Sequence, residues 1–566
     1  MRRRLREHVG KNGVWRNENT HYARVSLSSV LGFALGARNA GFHDFLVQGE
    51  MRAALLYLEK QLIPWDPRYK ARGLPPEQMA GVCERSAHSG IVAKALAATN
   101  PEFSAEMQWA WNQQDNSVHL PNPFVRGFEN VLLDKSLPEA TPKWQSEGFP
   151  NVSVVLRNGL GTTDESYLHL SIRQFGNYYL SQPGGMTIYA RGKPLALLFS
   201  SEYTACTAED FLTNSVGLAH TPGNKSHRAA NRGGFGGGHI ERVSALPRQD
   251  YASAEFELSG PNVIAPHFKE KIKPLSTPWP ALLKTAGGTA RYKRQVLFVK
   301  GAGKGDATYF IFRDSVKGGQ PTVWNMWSLS RKLGATRDTK NIEAFLADAP
   351  GARIAGARRL YGDRFTAVGQ FDVDAEYYVS LPEDTPRQTV RWGVRANEFQ
   401  DLLHLQRTDD GDYFVALFPR RRHEAAPTFA SLAAKRIIKV SGAFGTDYCF
   451  VSPRRSTASG EGVHFTGMAG TVQDRADGLV LALASRGEVS YKDHKLVAND
   501  AASMTVEDDK VVLAIARNGS AKVVATVSLP DGKSLRSSGA VHPVKMADGS
   551  YRIVIPQGVR EVTLTQ

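Results

Sequence analysis

The chain has 566 residues, which at about 150 residues per domain is material for three or four domains. Its composition, 42% hydrophobic and 22% charged, is that of a globular protein and excludes fibrous and low-complexity classes. The net charge of +15 attracts polyanions, whether nucleic acid, anionic lipid or acidic polysaccharide. No apolar run approaches the roughly 18 residues that a membrane helix needs, and neither a membrane span nor a signal peptide is expected in this chain.

The first part of the chain has the pattern of helices. Apolar residues recur at three- and four-residue steps over residues 26–116, in SLSSVLGFALGARNAGF, MRAALLYLEKQL, SGIVAKALAA and AEMQWAWNQQ. Glycine and proline residues separate these segments. We therefore expect a helical domain at residues 1–145, with a linker in the Pro-, Gly- and charge-rich stretch 121–150.

The rest of the chain has the pattern of strands. Alternating or β-branched runs follow one another, among them VSVVLRNG, RQVLFVKG, ATYFIFRDS, DYFVALFPR and TDYCFVS. A last group of short runs, such as KVVLAIARNG and AKVVATVSL, is separated by Gly and Asp turns. Helices followed by strands exclude a doubly wound α/β enzyme. We expect a multidomain α+β protein with a large antiparallel β-sandwich at residues 146–455 and a small β domain at 456–566.

Several motifs are absent or weak. The glycine-rich segment 231–243 lacks the Gly-Lys-Ser/Thr ending of a phosphate loop and is predicted to be a loop. The chain has no GxSxG and no HExxH. His220, His227 and His239 share one stretch, but histidines so placed are more often not metal ligands.

The three cysteines suggest no cross-link or metal site. They lie far apart and form no CxxC pair, so neither a disulfide framework nor a thiolate zinc site is expected. We predict that each is a small buried residue: Cys83, Cys206 and Cys449.

Two polar segments stand out because functional side chains concentrate at the ends of elements. The first, GVWRNENTHYARVSLSSVL, places four polar residues immediately before the first predicted helix: Glu18, Asn19, His21 and Tyr22. The second, YLHLSIRQFGNYYLSQPGGMTIYARGKPL, places six before a strand: Arg173, Gln174, Asn177, Tyr178, Tyr179 and Gln182.

These segments, in this order, resemble the heparinase II/III-like superfamily of polysaccharide lyases. The family phrase GGWxEGxxYxxYALxxLLxAL, near the end of an α/α toroid, is similar to GVWRNENTHY here, with Glu18 at the glutamate and Tyr22 at the proton-donating tyrosine. The family's YAxGxPL segment is similar to YARGKPL. The resemblance implies the C-terminal part of an α/α toroid, an N-terminally truncated chain, and a secreted or periplasmic location.

The chain departs from the family pattern in the β part. A His-x-His-x-Asp-like element is expected before YAxGxPL, but residues 178–182 are YYLSQ, and the later His-Asn-Thr-like motif is Thr213, Asn214, Ser215. The zinc that some relatives bind is therefore not expected, and no other cofactor is implied. Some alginate lyases of the superfamily use a tyrosine where others use histidine, which makes Tyr178 the second catalytic candidate.

The chemistry of a uronic-acid lyase explains these residue types. It needs a neutralised carboxylate, a base at C5 and an acid for the oxygen leaving C4. Tyr22 and Tyr178 are the acid/base candidates, and the expected substrate-binding residues are Glu18, Asn19, His21, Arg173, Asn177, Tyr179 and Gln182. A tyrosine with a pKa near 10 needs a nearby cation to act as a base near neutrality.

The resulting hypothesis is a lyase that cleaves an anionic, uronic-acid-containing glycan. Without the resemblance, the tyrosines are ordinary packing residues and the amides ordinary turn residues. A non-catalytic glycan-binding protein of the same fold is the main alternative. A polyanion or nucleic-acid binder driven by the +15 charge is more distant, and no nucleic-acid partner is expected.

Overall fold

The computed structural model describes residues 9, 13–15, 20–47, 49–75, 84–119, 129–172, 184–197, 214–219, 238–258, 282–303, 305–335, 354–395, 398–507, 510–516, 522–530, 534–537, 539 and 541–565. No helix within these ranges combines the length and the apolar character needed to cross a bilayer.

The helical part is built from the segments that the apolar periodicity predicts. Its helices are α1 Thr20–Asn39, α2 Gly49–Glu59, α3 His88–Leu96, α4 Pro101–Gln113 and the short α5 Glu129–Leu132. Asn100 caps α4, since its side chain accepts a hydrogen bond from the Phe103 amide at 3.2 Å and Pro101 occupies the first helical position. The helical expectation is confirmed for these four longer segments, while the toroid stays a prediction.

The start of α1 differs from the expectation. The apolar pattern begins at Ser26, but the helix begins at Thr20, so His21 and Tyr22 lie inside its first turn and not before it. The first turn of α1 was not predicted because it is rich in polar residues and therefore shows no apolar periodicity.

The first β-sheet contains 17 strands. They are β1 Glu147–Phe149, β2 Ser153–Asn158, β3 Ser166–Ser171, β4 Met186–Ala190, β5 Lys193–Ala196, β6 Val216–Leu218, β7 His239–Ala245, β8 Gln249–Leu258, β9 Ala290–Val299, β10 Tyr309–Lys317, β11 Thr322–Ala335, β12 Ile354–Arg359, β13 Arg364–Gly369, β14 Val373–Val379, β15 Arg387–Arg395, β16 Glu398–Arg407 and β17 Gly411–Arg421. Every ladder in this described sheet is antiparallel, which confirms the β expectation at that level. The segment 231–243 was expected to be a loop, but its last residues belong to β7.

This sheet folds back over its own core. Leu156 of β2 and Leu168 of β3 share one buried cluster with Val296 of β9 and Phe310 of β10. Strand β11 joins the two halves, because residues 322–329 pair with β16 along one edge and with β5 and β6 along the other, and residues 330–335 pair with β13. Burial of this apolar surface is the main force that closes the two halves on each other.

The second β-sheet contains 13 strands and its own core. They are β18 Thr428–Leu432, β19 Ile437–Gly442, β20 Gly445–Gly460, β21 Val463–Arg475, β22 Gly478–Leu483, β23 Gly487–Tyr491, β24 His494–Ala498, β25 Ala502–Val506, β26 Lys510–Ile515, β27 Val523–Ser528, β28 Val544–Lys545, β29 Tyr551–Ile555 and β30 Glu561–Thr565. Strand β20 runs across residues 455 and 456, and the change of sheet falls between β17 and β18. The division into domains at 145 and 455 stays a prediction.

The helical part is fixed to the first sheet by buried polar contacts. The Tyr167 hydroxyl of β3 donates to the Gln61 carbonyl at 2.8 Å, just after α2. Arg72 pairs with Glu165 at 2.6 Å, with both side chains nearly inaccessible. Arg157 of β2 donates to the Leu62 carbonyl at 2.7 Å. Because each contact joins a helical-part residue to β2, β3 or the turn before β3, the two parts are held in one orientation.

The two sheets also pack on each other through a mixed interface. Its apolar cluster includes Ile311 of β10 and Ile438 of β19. The Tyr309 hydroxyl donates to Asp447 at 2.7 Å, and Arg475 pairs with the same carboxylate. Cys449 is a buried free cysteine, as predicted. Burial raises the pKa of its thiol. Cys83 and Cys206 lie outside the described residues.

A buried carboxyl at the end of α2 makes the stability depend on pH. Glu59 is buried and accepts a hydrogen bond from Gln114 at 3.1 Å. Burial raises its pKa to about 8, although the hydrogen bonds from Ser89 and Gln114 oppose the shift. The folded state therefore holds this proton more tightly than the unfolded state, and the stabilisation present below the ordinary pKa is lost as the pH rises towards 8.

We expect the free energy of unfolding to fall by about 1 kcal/mol per pH unit between pH 5 and 8 because of Glu59. Urea titrations of wild type and Glu59→Gln across this range measure the effect, and the variant should lose this part of the slope. Glu102→Gln, at an exposed position of α4, is the control and should keep it. Identical slopes in wild type and Glu59→Gln would contradict the assignment.

Candidate functional site

The structure gives the backbone position of two of the predicted site residues. His21 and Tyr22 lie in the first turn of α1, and their side chains are not described. The other predicted residues lie outside the described residues: Glu18, Asn19, Arg173, Asn177, Tyr178, Tyr179 and Gln182. Their roles stay predictions, but the described residues that flank them form a defined framework.

The first turns of α1 are anchored to the segment that precedes α3. Arg24 donates to the Arg85 carbonyl at 2.6 Å and pairs with Glu84 at 3.5 Å. One turn further on, the Ser28 hydroxyl lies 2.7 Å from Nε2 of His88. Burial and the charge of Arg24 lower the pKa of His88 to about 3, so this imidazole is neutral. Contacts of Arg24 and Ser28 thus hold the part of α1 that directly follows Tyr22.

The residues on either side of segment 173–183 meet at the edge of β3 and β4. The Gly184 amide donates to the Ser171 carbonyl at 2.7 Å, and the Gly238 amide donates to the Ile172 carbonyl at 2.8 Å. Gly184 has a φ of +84°, and a Cβ atom there would lie 1.8 Å from the Tyr292 hydroxyl. A glycine is therefore required at the position that follows the predicted catalytic segment.

A fully buried ion pair binds the carbonyl of Gly184, the residue that follows the predicted segment. Arg294 of β9 donates through Nε and Nη2 to the two carboxylate oxygens of Asp314 in β10, at 2.7 and 2.8 Å. Its Nη1 donates to the Asn214 carbonyl at 2.7 Å and also to the Gly184 carbonyl. The Trp324 indole also donates a hydrogen bond of 2.8 Å to the Asp314 carboxylate. We call Arg294, Asp314, Asn214 and Trp324 the Arg294 network.

Asn214 extends this network to neighbouring strands. Its side-chain nitrogen donates to the Met186 carbonyl at 2.8 Å, and its side-chain oxygen accepts from the Trp327 amide at 2.6 Å. Burial alone would lower the pKa of Arg294, but the carboxylate of Asp314 outweighs it and holds the pKa above its usual value. The network therefore stays charged and fixes the chain at Gly184 and Met186, just after the predicted segment.

The YARGKPL motif forms a tight hairpin between β4 and β5. It was expected to be a strand, but Arg191 and Gly192 have φ values of 53° and 69° and reverse the chain in two residues. A Cβ atom at position 192 would lie 2.3 Å from the Thr163 carbonyl oxygen. The Tyr189 hydroxyl of the motif donates to Asp66 at 2.8 Å, so the motif contacts the helical part.

The described residues contain one group that could hold a metal ion, formed by His239, Glu241 and Glu255. These exposed side chains line or adjoin a cavity of about 400 Å³ at the end of β8 and β9. The Lys293 ammonium lies 2.6 Å from Glu241 and supplies the positive charge that a metal would bring. The residues therefore do not fit the zinc that some lyases bind.

Sequence reasoning missed the Arg294 network. Arg294 and Asp314 lie in the apolar runs RQVLFVKG and YFIFRDS, which were assigned to strands without attention to their charges. A charged residue within a buried strand almost always has a partner, so the two runs carried a usable signal. Only the fold shows that Arg294 pairs with Asp314. Only the fold shows that Arg294 also binds the carbonyls of Gly184 and Asn214.

The fold and its framework define a helical part packed on an antiparallel β-sheet, with a second sheet behind it. No protein-family model matches the chain, and no curated protein matches it. Among solved structures, it is similar to a heparinase III, at 13% identity over 83% of this chain and 58% of that chain, with a TM-score of 0.47. It is also similar to heparan sulfate lyase HepC from Pedobacter heparinus, at 9% identity over 78% and 59%, with a TM-score of 0.45.

A third similar structure is that of chondroitinase AC lyase, at 11% identity over 98% of this chain and 71% of that chain, with a TM-score of 0.47. The structural neighbours are polysaccharide lyases, as the sequence motifs predict. The chain spans about three fifths of the length of the heparinase and heparan sulfate lyase structures.

Proposed function

We propose that the protein cleaves an anionic, uronic-acid-containing polysaccharide by β-elimination, with Tyr22 and Tyr178 as acid and base. The observation that carries the proposal is the motif GVWRNENTHY, which ends at Tyr22 in the first turn of α1 and is followed in chain order by the β4–β5 hairpin YARGKPL. Both motifs resemble those of polysaccharide lyases. The structure supports the proposal by anchoring the residues next to each motif.

The reaction assigns a task to each predicted residue. A base removes the C5 proton, the electron pair forms the C4–C5 double bond, and the C4–O bond breaks with protonation of the leaving oxygen. Asn19, Arg173 and Asn177 would withdraw charge from the uronate carboxylate and stabilise the intermediate anion. The remaining substrate-binding candidates are Glu18, His21, Tyr179 and Gln182.

The charge of the chain agrees with this substrate class. A net charge of +15 favours association with a polyanion, and this attraction weakens as salt screens it. The partner is then the polysaccharide itself. A secreted or periplasmic location follows from the same resemblance and stays part of the proposal.

The test is the near-ultraviolet absorbance of the unsaturated uronide. The protein is incubated separately with heparan sulfate, chondroitin sulfate and alginate, and a rise with one polymer is the expected result. A heat-unfolded sample is the control for chemical elimination. Binding without any rise would instead support a non-catalytic glycan-binding protein, and salt-sensitive binding to every polyanion, DNA included, would support a non-specific binder.

A further inference from the structure

The loop of residues 63–74, between α2 and the segment leading to α3, is held in one conformation by a buried carboxylate. Asp66 is fully buried and accepts hydrogen bonds from the Arg68 amide at 2.9 Å, from Arg68 Nη2 at 2.6 Å and from the Tyr189 hydroxyl at 2.8 Å. Its own amide donates to the Ala71 carbonyl at 3.0 Å. We call residues 63–74 the Asp66 loop.

Further contacts close the base of this loop. The Ile63 amide donates to the Gly73 carbonyl at 2.9 Å, and Pro64 and Pro67 restrict the backbone on either side of Asp66. Arg72 leaves the loop towards the sheet, where it pairs with Glu165 at 2.6 Å. The Asp66 loop is therefore pre-organised on the YARGKPL hairpin, and a ligand that binds to it pays little ordering entropy.

This rigid loop leaves a tryptophan and a lysine exposed. Trp65 is 42% exposed although an indole is usually buried. Lys70 is exposed at a φ of 52° and has no ion pair or hydrogen bond within the described part of the chain. The Asp66 carboxylate is neutralised by Arg68 at 2.6 Å, so the surface that Lys70 presents is positive.

We propose that the Asp66 loop is a binding site for an anionic sugar unit, in which the Trp65 indole stacks on a pyranose ring and Lys70 pairs with a carboxylate or sulfate. Pyranose rings present C–H groups to an aromatic face and hydroxyls at their rim, where the indole N–H donates. The site deepens the proposed function, on which its choice of ligand rests, because it is a second contact for the same polymer.

The Asp66 loop contacts the strand that follows the predicted catalytic segment. The loop contacts β4 at Tyr189, whereas segment 173–183 is followed by Gly184, five residues earlier in the chain. Within β4, Met186 and Tyr189 lie about 10 Å apart at about 3.3 Å per residue. A polymer that occupies both places gains affinity from the distal contact without a change in the chemical step.

Affinity electrophoresis with heparan sulfate, chondroitin sulfate and alginate tests the site. We expect Trp65→Ala to weaken binding of the preferred polymer about tenfold, and Lys70→Ala to weaken it severalfold. Trp65→Phe, which keeps a ring, should fall between wild type and Trp65→Ala. Phe42→Ala removes an 85% exposed aromatic side chain from the same helical part and should bind as wild type does.

The outcomes separate this site from the proposed lyase activity. Wild-type-like binding by both Trp65→Ala and Lys70→Ala would overturn the site, even if the wild type forms the enone. Loss of binding in these variants, in a protein that forms no enone, would keep the site and refute the lyase. Because tryptophan and lysine also bind single-stranded nucleic acid, an oligonucleotide is run in parallel, and a loss confined to it would overturn the sugar assignment.

Discussion

Replacing Tyr22 by phenylalanine is expected to lower the rate of enone formation by a factor of about 100 to 10,000, the usual contribution of a positioned general acid or base. The substitution removes the hydroxyl that would protonate the leaving oxygen and leaves the aromatic ring. Tyr22 lies in the first turn of α1, which Arg24 and Ser28 anchor to the neighbouring segment. The backbone should therefore stay in place, and affinity for the polymer should change by no more than about twofold.

Two other tyrosines complete this experiment. Tyr178→Phe should cause a loss of the same order, because the proposal assigns the acid and the base to different residues. Tyr361→Phe is the control, because this ring is 72% exposed in the turn between β12 and β13. Full activity in Tyr22→Phe would refute its role in proton transfer, whatever the result for Tyr178→Phe.

The second large effect is expected for Arg294→Met, which should lower the free energy of unfolding by about 3–5 kcal/mol. The side chains of Arg294 and Asp314 are completely buried, so loss of the guanidinium leaves a carboxylate whose described bond is to Trp324. It also leaves the carbonyls of Gly184 and Asn214 without this donor. Guanidinium chloride unfolding, monitored by tryptophan fluorescence, measures the loss.

Strand β9 provides a matched control for this substitution. Arg291 is on the same strand and pairs with Glu257 at 3.3 Å, but its side chain is 77% exposed. Arg291→Met should cost less than about 1 kcal/mol, because an exposed ion pair is screened by water. The double variant Arg294→Met/Asp314→Leu should regain part of the loss by removing the unpaired charge. If Arg294→Met and Arg291→Met lost the same free energy of unfolding, the buried network would stabilise the fold no more than the exposed ion pair does.

The elements themselves could be predicted from the sequence because their signals are local. Apolar steps of three and four gave α2, α3 and α4, and the runs RQVLFVKG and YFIFRDS gave β9 and β10. The succession of helices and then strands also predicted antiparallel pairing. Two local details were hidden, since polar residues mask the first turn of α1 and the two-residue turn in YARGKPL was taken for part of a strand.

The framework of the candidate site could be predicted only in part. The two polar segments were singled out because polar side chains concentrate at the ends of predicted elements. The resemblance to lyases, which uses residue order alone, then gave their residues roles. The choice of Tyr178 rests on the same argument and stays a prediction. Zinc was not expected because the family's histidine positions are not matched, and in the group of His239, Glu241 and Glu255 the Lys293 ammonium pairs with Glu241.

The sequence by itself determined the positions of most helices and strands, the antiparallel class and the two motif segments, because periodicity, turn residues and motif order are written in consecutive residues. The tertiary structure alone decided that Arg294 pairs with Asp314, that Tyr189 of the YARGKPL hairpin holds Asp66, and that Trp65 remains exposed. These facts depend on which strands and loops pack together. Whether a charge is buried or an indole is exposed depends on residues that are distant in the sequence, and a local sequence pattern does not identify those residues.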